Sequence, residues 1–124
     1  MRFRSPLLLA LTFAALLSAP AWAHMALSKA APADKGTVTV APTQVQLWFT
    51  QKPDMTVSRI VLSGATGEVK LGALKLVEER SLIAPIEAAL TDGAYTIAWQ
   101  SAGDDGHVQK GQVTFTLKRA TAGR

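Results

Sequence analysis

The sequence predicts an all-β protein, a sandwich of two packed antiparallel sheets with six to seven strands. Three observations carry that reading. Apolar and polar residues alternate with period two over residues 44–50, 93–101 and 108–118, as they do on half-buried strands. Turn signals built from Gly, Asp and Pro separate these runs from their neighbours. No segment after residue 23 carries a convincing helical period. Short strands punctuated in this way bury their apolar faces by closing two sheets over one core.

Taken in order, residues 1–23 read as a cleavable secretory signal. Arg2 and Arg4 make a positive start, residues 7–17 an apolar run, and Ala21 and Ala23 are small residues where a signal peptidase reads. The run is shorter than the about 20 residues that a membrane span needs. Cleavage after Ala23 leaves 101 of the 124 residues, enough for one domain. With Arg2 and Arg4 gone, 11 basic residues face 9 acidic ones. The basic residues are scattered and do not interleave with aromatics, which argues against a nucleic-acid partner.

Residues 24–30 are strand-like, and Pro32-Ala33-Asp34-Lys35-Gly36 reads as a turn. Residues 37–40 are β-prone but short. Residues 44–50 form the first clear strand, with Val45, Leu47 and Phe49 on one face, and Lys52-Pro53-Asp54 ends it. Residues 57–63 follow as a strand with Ile60 and Leu62 inward. Residues 64–67 turn the chain and 68–71 return as a short strand. Residues 72–80 fit neither period and are expected to be a polar loop leading into a strand at 82–86. Pro85 places that strand at an edge, or ends it.

Thr91-Asp92-Gly93 is a turn signal. Residues 93–101 are the strongest strand, with Tyr95, Ile97 and Trp99 on one face. A Gly/Asp loop at 102–106 leads to the last strand, 108–118, with Val113, Phe115 and Leu117 inward. The domain thus spans 24–119, and residues 120–124 read as a frayed tail. Cysteine is absent, so neither disulfides nor thiolate ligands are available, and stability rests on the core.

The chain has two histidines, His24 and His107. Cleavage after Ala23 would make His24 the first residue, with a free α-amine beside its imidazole. Asp105 and His107 lie two apart, a spacing that projects to one side of an extended backbone. Three nitrogens and one oxygen suit tetragonal Cu(II) better than tetrahedral zinc. The alternative is two unrelated surface histidines in solvated turns, and chemistry alone leaves both readings open.

The order of motifs resembles the CopC family of periplasmic copper-resistance proteins. His24-Met25-Ala26-Leu27, Pro32-Ala33-Asp34, Leu47-Trp48-Phe49-Thr50, residues 95–101, Asp105-Gly106-His107 and residues 111–115 carry it, over nearly the whole mature chain. The resemblance implies a Greek-key sandwich of cupredoxin-like or immunoglobulin-like type. It also implies a Cu(II) site of His24 amine and ring, Asp105 and His107. Two departures stand out. Gln51 occupies a place that is often acidic in the family, and Val108 follows His107 where Pro is usual. Some members bind Cu(I) through a methionine-rich loop. Here the mature chain has only Met25 and Met55, so no such site is expected.

The resulting expectation is a periplasmic protein that buffers or carries copper, with no enzymatic activity. It would act as a monomer, without a membrane span once the signal is removed, and an inner-membrane copper transporter could receive its metal. Two alternatives belong to other classes. One is a copper-dependent oxidase of the N-terminal-histidine type, against which Asp105 argues by occupying the place of oxygen. The other is a metal-free immunoglobulin-like interaction module.

Overall fold

The structure, a computed structural model, describes residues 24–120. Among them lie nine strands: β1 (Leu27–Ala31), β2 (Gly36–Val38), β3 (Gln44–Phe49), β4 (Arg59–Gly64), β5 (Gly67–Val69), β6 (Lys75–Val77), β7 (Ser81–Pro85), β8 (Gly93–Ala102) and β9 (Val108–Leu117). One sheet has the order β1-β3-β7-β6 and the other β2-β9-β8-β4-β5.

The strongest sequence alternation makes the longest pair. β8 and β9 run antiparallel in unbroken register from Gly93↔Leu117 to Ala102↔Val108. Their inward faces present Tyr95, Ile97, Trp99, Val113, Phe115 and Leu117, all buried. Val45, Leu47 and Phe49 of β3 and Leu82 and Ala84 of β7 close the core from the opposite sheet. Full burial of an aliphatic or aromatic side chain of this size contributes about 1.5–3 kcal/mol. Phe49 meets Trp99 edge to face at 5.2 Å between centroids, and Tyr95 stacks on Phe115 at 5.2 Å. Tyr95 keeps its hydroxyl satisfied by donating it to the Thr91 carbonyl at 2.5 Å. Ile60 is only half-buried at the margin of the core, while Leu62 is fully buried.

The structure departs from the sequence reading in three places. It has nine strands rather than six or seven: the short β-prone run at 37–40 forms β2, and β6 lies where a loop was expected. β2, β5 and β6 have three residues each and all stand at the end of a sheet, where short strands limit edge-to-edge pairing. β6 occupies part of 72–80, the expected loop. Leu76 faces inward beside Leu82, while Val77 pairs with Ser81 on the outer side, and this two-sided partial burial hides the period. Finally, β2 runs parallel to β9, so the five-stranded sheet is mixed. Pro85 is the last residue of β7, an interior strand, so it ends the strand rather than marking an edge. The expected signal, residues 1–23, and residues 121–124 of the expected tail lie outside the described residues.

The architecture brings the two sheets' connections together at one end of the sandwich. β1 belongs to the four-stranded sheet, and the β8–β9 loop to the five-stranded sheet. The segment entering β1 and the β8–β9 loop meet at that end.

Candidate metal centre

His24 reaches that end because the chain behind it is pinned. Met25 is 2% exposed and belongs to the core cluster. The Ala26 amide donates to the Thr50 hydroxyl at 3.0 Å, and the Thr50 amide donates back to the Ala26 carbonyl at 2.9 Å. β1 then pairs with β3, starting at Leu27↔Phe49. A buried side chain and two reciprocal hydrogen bonds therefore fix the backbone within two residues of His24.

Asp105 and His107 sit in the 103–107 connection between β8 and β9. They converge through a turn and not, as the i, i+2 spacing suggested, along an extended strand. The Gly106 amide donates to the Gly103 carbonyl at 3.1 Å, and Gly106 takes φ 72°, a region glycine enters without steric cost. The His107 amide donates to Asp105 Oδ1 at 3.0 Å, an Asx-type local bond. The loop is also tied to the rest of the chain. The Asp104 amide donates to Gln51 Oε1 at 2.9 Å. The Asp54 amide donates to the Ala102 carbonyl at 2.8 Å, and the Ser58 and Ser101 hydroxyls bond at 2.7 Å in a buried position.

These constraints bring together residues 81 apart in sequence. Asp105 Oδ2 lies 2.6 Å from His24 Nδ1 and 3.2 Å from His107 Nδ1. The two imidazoles meet edge to face, 5.3 Å apart at 72°. One donor atom from each of the three residues lies within 4.8 Å of the others. Ligand atoms about 2 Å from a common ion lie at most about 4 Å apart, so a contraction of under about 1 Å closes the set. The two rings are largely solvent-facing.

The electrostatics favour a cation. The Asp105 carboxyl is held below its usual range, chiefly by the His107 amide and next by the His24 ring. Partial desolvation opposes this, and the His107 ring adds a smaller pull in the same direction. Asp105 is thus a carboxylate at neutral pH. Two imidazoles and a carboxylate, joined by an α-amine if His24 begins the chain, form a nitrogen-rich N/O donor set of the kind Cu(II) takes. All three residues singled out in the sequence, His24, Asp105 and His107, come together. The supporting residues Met25, Thr50 and Gln51 were not read as part of the site. Gln51 stood out only as a departure from the family pattern, and Met25 only as an apolar residue beside a candidate ligand.

Known proteins share this fold and sequence pattern. The CopC domain matches residues 27–118. Protein YobA of Escherichia coli K12 is 33% identical over 113 residues, covering 89% of this chain and 91% of that protein. Copper resistance protein C of Xanthomonas campestris pv. juglandis is 31% identical over 113 residues, covering 85% of this chain and 88% of its own length. Among solved structures, CopC of Methylosinus trichosporium OB3b superposes with a TM-score of 0.71 at 27% identity, over 82% of this chain and all of that one. PcoC of Escherichia coli, described as a methionine-rich copper resistance protein, gives a TM-score of 0.70 at 25% identity, over 77% of this chain and 100% of its own.

Proposed function

We propose, from the premise that the chain belongs to the CopC family, that it is a periplasmic Cu(II)-binding protein that buffers or carries copper. Copper is its cargo, and the protein is a carrier rather than a catalyst. The observation that carries the reading is the convergence of His24 and His107 on one oxygen of Asp105. In this reading residues 1–23 are removed on export, and the domain begins at His24. The freed α-amine would join the His24 ring, Asp105 and His107 as ligands of the ion. The monomeric protein then presents its metal at an exposed end of the sandwich, where an inner-membrane copper transporter could take it.

Each ligand has its own role. The His24 amine and Nδ1 close a small chelate ring, which lowers the entropy lost in holding the ion. Asp105 supplies the negative charge. His107 adds a third nitrogen from the opposite sheet, so binding ties the two sheets together and should raise the melting temperature by mass action.

Isothermal titration of Cu(II) into three proteins tests this: the chain starting at His24, the same chain with one alanine added in front, and His107→Ala. Binding to the first should be at least about 10-fold tighter than to either of the others. Equal affinity in the extended chain would remove the amine from the site. N-terminal sequencing of the exported protein should return His24 first.

A further inference from the structure

We propose that Gln51 is a positioning residue of the metal centre: its side-chain carbonyl, admitted by a glycine at 103, holds the 103–107 loop in the conformation that presents Asp105 and His107. This rests on the copper reading above.

Two observations on opposite sides of the Thr50-Gln51 dipeptide carry it. On one side, Thr50 holds Ala26 through its hydroxyl and amide, at 3.0 and 2.9 Å, and so fixes the approach of His24. On the other, Gln51 Oε1 accepts the Asp104 amide at 2.9 Å, one residue before Asp105. One dipeptide after β3 therefore touches both ligand-bearing segments, which come from different sheets.

The fit around Gln51 is close. A Cβ at position 103 would fall on Gln51 Oε1 and within 2.9 Å of Met25 Cβ. Only glycine lets the loop approach the Gln51 carbonyl and the Met25 anchor together. The Gly103 carbonyl in turn accepts the Gly106 amide at 3.1 Å. Gly103 thus couples the Gln51 contact to the turn between the two loop ligands. Loss of the carbonyl would leave the Asp104 amide without this acceptor and let the turn drift by more than the small contraction the ligand set requires.

Gln51 provides this acceptor as a neutral amide. A carboxylate at the same position would offer the same oxygen but add charge beside Asp105. The contact therefore acts through geometry, and Gln51→Glu should retain it, whereas Gln51→Leu should not.

The test uses the mature chain and measures two things. Amide hydrogen exchange by NMR on metal-free protein reads whether the Asp104 amide is held. Competition titration with Cu(II), alongside its electron paramagnetic resonance spectrum, reads the consequence. Gln51→Leu should speed Asp104 exchange at least about 10-fold, weaken Cu(II) about 10- to 100-fold and broaden the spectrum. Gln51→Glu should restore all three, and Gly103→Ala should reproduce the loss from the other partner. Because Gly103→Ala and Gln51→Glu probe the same contact independently, failure of Gln51→Leu to fold leaves the question decidable. Unchanged Asp104 exchange in Gly103→Ala, or faster exchange with wild-type copper affinity and spectrum, would overturn the proposal. If the unaltered protein takes up no copper, the metal reading fails. The exchange data then still decide whether Gln51 fixes the loop.

Discussion

Two connections in this molecule solve the same problem in different ways. The β8–β9 loop reverses the chain with glycine where φ turns positive, at Gly106 with φ 72°. The β6–β7 connection, residues 78–80, reverses it with two consecutive glutamates in the left-handed region, Glu78 at φ 55° and Glu79 at φ 62°. Such a conformation costs a residue with a Cβ about 1–2 kcal/mol. Part of that is offset, because the Trp48 indole donates to Glu78 Oε2 at 3.4 Å. The β8–β9 loop is therefore relaxed and cross-tied, while the β6–β7 turn is strained and partly compensated. Ligand atoms must hold their positions within fractions of an ångström, so strain there would show up as lost affinity. A turn that only joins two strands can carry it.

The sharpest way to break this contrast is at the shared acceptor. Asp105→Ala removes the oxygen on which both histidines converge. Cu(II) affinity should fall by more than about 100-fold. The melting temperature of the metal-free chain should move little, because the loop adds no core. A titration and a thermal scan on the same sample separate the two.

Next in size is a β-branched residue at the glycine turn. Gly106→Val places a Cβ at φ 72° and should cost about 1–2 kcal/mol in urea unfolding. It should also weaken copper, since His107 follows directly. At the other turn the sign reverses: Glu79→Gly relieves φ 62° and should stabilise by up to about 1 kcal/mol, with copper affinity unchanged. If Glu79→Gly destabilised the fold, the turn would not be strained and the comparison would collapse.

The smallest effects lie in pH. The Asp92 carboxyl is held below its usual range, first by the Arg119 side chain, which donates Nε to it at 3.0 Å. A carboxyl depressed in the folded state adds stability above its unfolded value of about 3.9, and that stability is lost as pH falls through the folded value. Arg119→Ala should therefore lower the melting temperature slightly at pH 7. The ionic part of that deficit should close below about pH 4. A residual deficit should persist at every pH, because Arg119 also donates to the Leu90 carbonyl at 2.9 Å. Copper binding should weaken as pH falls, because protons compete with the metal for nitrogen ligands.

Much of this was legible in the chain. Period-two alternation marked β3, β8 and β9, and the inward set named from it is buried apart from half-buried Ile60. β6 was not legible, because Leu76 faces the core while Val77 is half-covered on the outer side. Met25, Leu82 and Leu90 were missed in the core because each is read against a weak or absent strand pattern. The three candidate ligands stood out by residue type and by likeness to a family. Their support did not, since Gln51 and Gly103 lie 52 residues apart and share no local pattern.

The sequence by itself determined which faces are apolar, where the chain turns, and which side chains are able to hold a metal. Those are local properties, set by side-chain chemistry and by the geometry of neighbouring residues. Only the tertiary structure decided that β2 lies parallel to β9, that His24 and Asp105 come within 2.6 Å, and that Thr50-Gln51 holds both of their segments. Those pairings depend on how two sheets close over one core. Closure joins positions far apart in the chain through packing that no single segment encodes.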